Sequence, residues 1–217
     1  SYKSLNYYNR AEEIYEKVLR KDPNNIKCLN NFSNLKQTLR DYETAKKLLL
    51  KALEIEEKNL NILFNLAECY QSLGELDQAK DYALKILNLQ PNHTAAHRFI
   101  CGIINHRSDK SYFPKIIEIE KSDDFKNFSS EEKKDIYFSL GKAYEDNHDY
   151  EKSFNYLQKA NLIKNKEINY NQSAHEKLIK SIIKLFHDFD FEKIKKKSLK
   201  NKIIFICGMP RSGSTLI

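Results

Sequence analysis

Glycine and proline are scarce in this chain, with five Gly and four Pro among 217 residues. So few chain-reversing residues exclude long loops and a many-turned β architecture, and they favour helix. Long apolar runs are missing too: no stretch reaches the length of a membrane span, and no secretory hydrophobic region is present. No membrane partner is therefore expected. The chain opens with Ser1 in a stretch already helical in pattern, so the natural N-terminus is expected to be missing. Cysteine occurs at positions 28, 69, 101 and 207 with neither C-x-x-C spacing nor a disulfide framework. That usage fits a reducing compartment, and the expected localisation is cytoplasmic. The net charge of +7 is modest for 217 residues and is concentrated near the C-terminus.

What is abundant is a repeat. Leu63, Leu66-Ala67, Tyr70, Gly74, Ala79, Ala83, Ile86 and Pro91 follow the helix–turn–helix pattern of a tetratricopeptide repeat (TPR), with a small residue where the paired helices cross. One period of ~34 residues earlier stand Leu29, Phe32-Ser33, Ala45, Leu49 and Ala52. Another period back stand Tyr2, Ala11, Tyr15, Val18 and Pro23, so the first repeat lacks most of its first helix. Going forward, Ile100-Cys101, Ile104 and Ile117 match weakly, with Pro114 early in the second helix. After a slip in register the pattern returns as Tyr137, Leu140-Gly141, Tyr144, Ser153, Leu157 and Ala160. A single helix pair of this kind cannot bury its apolar face alone, so such pairs stack into a solenoid. Residues 1–165 are read as about five repeats, the first truncated and the fourth divergent.

The inner surface of a TPR solenoid is its usual binding face. By repeat position, first-helix residues facing it are Lys27, Asn30, Asn34, Asn61, Phe64, Glu68, Arg98, Asn105, Phe138, Lys142 and Glu145. The mix is polar and amide-rich, with two aromatics, and a peptide or protein segment lying along the groove is the expected partner. Chaperone-binding TPR domains grip a C-terminal carboxylate with a Lys/Asn/Arg clamp. Here Asn34 and Asn65 fall near the Asn places, but the Lys places hold Asn30 and Ala95, which argues against that clamp.

In the divergent stretch 94–133, His93 and His97 are spaced i,i+4 and would share a helical face. No third ligand accompanies them, so they are read as surface or packing histidines and no metal is expected. Ser129 with Glu132, or Ser130 with Lys133, brackets a helix start. Asp123 and Asp124 read as a solvated turn.

Residues 166–201 read as a connector. Ala174, Leu178, Ile179, Ile182, Ile183, Leu185 and Phe186 form an apolar stripe at helical spacing, able to cap the solenoid's open end or dock a following domain. Six lysines then crowd residues 193–202. No aromatic interleaves with them, so a solvated linker is preferred over a nucleic-acid patch. The run Ile203-Ile204-Phe205-Ile206 suits a buried strand, and Gly208-Met209-Pro210-Arg211-Ser212-Gly213-Ser214-Thr215-Leu216 suits an anion-binding loop at a helix N-terminus. Its glycines sit where those of a nucleotide-hydrolase loop would sit, but Ser214 holds the place of the phosphate-reaching lysine.

This loop closely resembles the 5′-phosphosulfate loop of sulfotransferases, enzymes that use 3′-phosphoadenosine 5′-phosphosulfate (PAPS). The Pro-Arg-Ser-Gly form looks more like the tyrosylprotein and bacterial branches than the cytosolic branch, which usually carries Lys where Arg211 stands. The last repeat, from Phe138 to Asn161, resembles that of bacterial proteins fusing TPR arrays to a sulfotransferase domain. The resemblance implies an all-α TPR solenoid followed, over residues 202–217, by the strand–loop start of a P-loop-like α/β sulfotransferase domain. It implies PAPS binding through Gly208, Pro210, Arg211, Ser212, Gly213, Ser214 and Thr215, with Arg211 neutralising charge in sulfuryl transfer to a hydroxyl or amine. The base and 3′-phosphate site would lie beyond Ile217, so a chain of this length is expected to be inactive. Two alternatives remain: an interaction scaffold working through the groove, and a nucleotide hydrolase with an unusual loop.

Overall fold

The computed structural model describes residues 2–167 and 172–187, and among them every regular element is helical. The expected strand at 203–206 and the loop at 208–216 lie outside the described residues. The chain divides into two units, residues 1–169 and 170–217.

The first unit is a stack of paired helices. A long helix, α1 (Tyr2–Lys21), is followed by the pairs α2 (Ile26–Thr38) with α3 (Tyr42–Ile55), and α4 (Leu60–Leu73) with α5 (Leu76–Leu89). Then come α6 (Thr94–Ile103) with α7 (Phe113–Lys121), a 3₁₀ turn at Asp123–Asn127, and the pair α8 (Ser130–Asp146) with α9 (Tyr150–Glu167). Local signals start several of the helices. Asn25, Asp41 and Asn59 cap α2, α3 and α4, each side chain accepting a first-turn N–H. Gly74 ends α4 at φ 81°, a left-handed turn that suits glycine. Ser129 and Glu132 form a reciprocal capping box at the start of α8.

Packing follows the repeat. Leu29, Ala45, Leu49, Ala52, Ile62 and Leu66 form one buried cluster. Ala67, Ala83, Ile100, Cys101, Ile116, Ile136 and Leu140 form the next. Small residues at the crossings let backbones approach. Gly141 is the tightest case, since a Cβ there would stand 2.6 Å from Leu157 Cδ2.

Two expectations need correction. Residues before Ala11 continue α1 itself instead of forming a remnant first helix. In the divergent repeat α6 stops at Ile103, and residues 104–112 form an irregular turn. Asn105 is therefore a turn residue: its Oδ1 accepts from the amides of Arg107, at 2.9 Å, and Ser108, at 3.4 Å. The later slip in register is taken up by the 3₁₀ turn, whose Phe125 packs on Phe128 and Tyr137.

In the second unit, α10 (Gln172–His187) carries the foreseen stripe, and Leu178, Ile179, Ile182 and Ile183 are exposed.

Candidate binding groove

The first helices α2, α4, α6 and α8 touch in succession through side chains on one wall. Asn65 Nδ2 on α4 donates to Asn30 Oδ1 on α2 at 2.7 Å. Phe64 on α4 meets Phe99 on α6 edge-on at 5.8 Å. Arg98 on α6 reaches Asp135 on α8 at 2.9 Å and lays its guanidinium over the Phe138 ring at 4.7 Å. These contacts join first helices of successive repeats, and the last of them joins equivalent repeat positions, so the wall is continuous from Asn30 to Phe138.

Phe64 separates two clefts. One, of about 380 Å³, is bounded by Phe64, Glu68, Gln71, Arg98, Phe99 and Asp135. The other, of about 150 Å³, is bounded by Asn61, Phe64, Asn65 and His93 among others. The first is acidic and aromatic. The second is walled by amides.

Asp135 is buried, and it is satisfied: besides Arg98, it accepts from Thr94 Oγ1 at 3.3 Å. Glu68 differs. It is exposed, and among the described residues no hydrogen bond or ion pair holds its carboxyl, which partial loss of hydration pushes above the usual range. Lys142 is tied to Asp146 one turn along α8. Lys27, Asn34, Asn61 and Glu145 are exposed. The structure thus gathers Asn61, Phe64, Glu68 and Arg98 around the two clefts, with Asn30 bonded to the Asn65 of one of them, while Phe138 is covered by Arg98 and Asn105 leaves the helical wall.

His93 is the N-cap of α6, with Nδ1 accepting from Ala96 N at 3.1 Å, and its ring lies 6.2 Å from Phe64. His97 is buried. Its Nε2 lies 2.8 Å from the Pro91 carbonyl, so that nitrogen carries the proton and Nδ1 accepts from the Tyr112 hydroxyl at 2.7 Å. Burial, foremost, lowers the His97 pKa. The two rings are a cap and a core link, and among the described residues no group of His, Cys, Asp or Glu is placed to hold a metal ion. Burial also pushes the Cys69 thiol up to about 11 and the Cys101 thiol to about 12, so both are poor nucleophiles.

Sequence reasoning missed Asp135, Thr94 and the capping role of His93. The repeat register held a signal for the first: Asp135 stands two residues before Tyr137 as Asn61 stands two before Leu63, which places it on the same wall. The cap had none, because histidine is not a preferred N-cap.

A stack of paired helices with one polar wall defines a helical-repeat protein. Residues 37–100 match a tetratricopeptide-repeat family profile, and residues 1–25 and 134–167 match a second of the same description. The chain carries tetratricopeptide repeats. An uncharacterized protein of Aquifex aeolicus (strain VF5) is 41% identical over 80 residues, which is 36% of this chain and 10% of that protein. This chain thus matches about a tenth of that relative's length. Among solved structures, a crystal structure of MamA superposes with a TM-score of 0.58 at 21% identity, covering 77% of this chain and 95% of that one. A TPR protein from Parabacteroides merdae ATCC 43184 gives 0.56 at 22% identity, covering 70% and 59%. YrrB, described as a TPR protein with an unusual peptide-binding site, gives 0.53 at 21% identity, covering 74% and 80%. Likeness at such identities concerns the fold alone.

Proposed function

We propose that this chain is a protein-interaction module whose first-helix wall binds an extended peptide segment of a partner protein. The observation that carries this reading is the juxtaposition, on one continuous wall, of an amide-walled cleft and an aromatic, acidic cleft on either side of Phe64. An extended peptide exposes a main-chain N–H and C=O at alternating positions. Asparagine amides supply both a donor and an acceptor, so Asn30, Asn61 and Asn65 can pair with such a chain whatever its side chains. Phe64 offers an apolar wedge for one side chain. YrrB's description as peptide-binding agrees with this use of the fold, but the argument rests on this chain's own residues. The test is selection of random dodecapeptides against the 217-residue chain, followed by titration of the selected peptides into Asn65→Ala and Phe64→Ala variants. Binding weakened about tenfold in either variant supports the reading. Selected peptides that bind both variants unchanged would refute it.

A second reading concerns the parent activity and is carried by the motif from Gly208 to Leu216. It is PAPS binding and sulfuryl transfer, with Arg211, Ser214 and Thr215 on the phosphosulfate. Titration of PAP, with ATP for comparison, into the longest natural form of the chain tests it. Saturable PAP binding lost in Arg211→Ala supports the reading, and identical heats in both proteins refute it.

A further inference from the structure

We propose that the cleft beside Phe64 receives an arginine side chain of the bound peptide, with Glu68 as its counter-ion and the Phe64 ring as its stacking face. This deepens the peptide-binding reading and rests on it.

The argument begins with a site already filled. On α8, Asp135 and Phe138 stand one turn apart on the same helix face, and together they hold the guanidinium of Arg98, as an ion pair at 2.9 Å and over the ring at 4.7 Å. On α4, Phe64 occupies the place in its repeat that Phe138 occupies in the last one, and Glu68 lies one turn from it. The ingredients are alike, a carboxylate and a phenyl ring one turn apart on the groove wall, although Glu68 follows its ring along the helix and Asp135 precedes its own. Here, however, the neighbouring first helix supplies no cation. Asn30 faces this stretch of α4 from α2, and it is engaged by Asn65. Arg98 borders the cleft from α6, but Asp135 and Phe138 hold it.

Charge points the same way. Three carboxylates, Glu68, Glu131 and Asp135, border the cleft against one guanidinium, Arg98, although the whole chain carries +7. Glu131 is matched by Lys134 and Asp135 by Arg98, which leaves Glu68 as the unmatched charge. Its carboxyl, exposed at the cleft and without a partner among the described residues, would gain a charge-assisted pair from a cation entering there. At about 380 Å³ the cleft stands near the lower end of ligand sites, about 300–1,000 Å³, a size suited to one long side chain. Arginine is preferred over lysine because a planar guanidinium stacks on a ring while its fork meets a carboxylate. The amide-walled cleft on the other side of Phe64 would hold the adjoining main chain.

The experiment uses the peptides selected above, the 217-residue chain and its isosteric Glu68→Gln variant. Selection should enrich arginine at one peptide position. Replacing that arginine by neutral, isosteric citrulline should weaken binding about tenfold in fluorescence anisotropy. In Glu68→Gln the two peptides should bind alike. Circular dichroism and thermal melting check that the variant is folded. Peptides that bind tightly without a cation, or an arginine preference that survives in Glu68→Gln, would overturn the inference and leave the peptide-binding reading standing. If no peptide is enriched, both fall together.

Discussion

Two glycines in helical positions face opposite fates. Gly102, on the groove side of α6, has no atom within 4 Å of where its Cβ would sit. Alanine there restricts the unfolded chain and fits the helix, so Gly102→Ala should stabilise the protein by roughly 0.5–1 kcal/mol, read from urea unfolding. Gly141 is the reverse. Its Cβ would lie 2.6 Å from Leu157 Cδ2 and 2.8 Å from Cγ, so the Leu157 side chain would have to leave its place between α8 and α9. Overpacking of this kind costs typically 1–3 kcal/mol, which outweighs the ~1 kcal/mol that alanine gains over glycine in a helix. Gly141→Ala should therefore be destabilised on the order of 1 kcal/mol, and equal stability of the two variants would contradict this account. The sequence already marked Gly141 as a small crossing residue. Gly102 fell outside the repeat pattern, because an open site leaves no packing signature.

Helix boundaries were legible wherever a side chain competes openly for the backbone. The Ser129–Glu132 capping box was one of two starts the sequence offered there, and the structure shows both its halves: Ser129 N donates to Glu132 Oε2 at 2.7 Å, and Glu132 N donates to Ser129 Oγ at 3.3 Å. Ser129→Ala should cost about 1 kcal/mol, measured as a lowered urea midpoint, whereas Ser130→Ala, inside the helix, should cost little. Less legible was the end of α6. Periodicity runs on through Ile104 and Asn105, but the Asn105 side chain caps its own turn and removes these residues from the helix. Groove positions were readable from the repeat register. Which of them are already engaged was not, because the pairing of Arg98 with Asp135 joins residues from different repeats. The readings at 203–217 lie on residues that the structure does not describe.

The molecule as a whole should weaken in mild acid. His106 is fully buried beside Phe113, and neither ring nitrogen has a partner among the described residues. Desolvation, foremost, lowers its pKa, against the opposing pull of Asp146 and Asp109 and with the help of Lys142. The His97 pKa is lowered too. The unfolded chain takes up protons on both rings near pH ~6.5, before the folded one does. Stability is thus fully present above that pH and is lost as pH falls through it toward the folded-state values, by up to ~1.4 kcal/mol per pH unit for each histidine. Urea unfolding between pH 7.5 and 5 checks the slope. His106→Leu should flatten it with little loss at pH 7.5, since that ring forfeits no hydrogen bond. An unchanged slope in the variant would assign the effect elsewhere. Ion pairs mark several junctions in turn, Lys36 with Glu12, Lys46 with Glu75, Lys80 with Asp109 and Lys134 with Glu167. Each joins sequence neighbours in the stack and nothing farther away. A row of parts fastened only to the next in line behaves as a spring: a small rotation at every joint adds up along its length, while no single joint is strained. The wall from Asn30 to Phe138 can therefore lengthen or tighten to match what lies along it, and a ligand spanning several first helices would act as a splint.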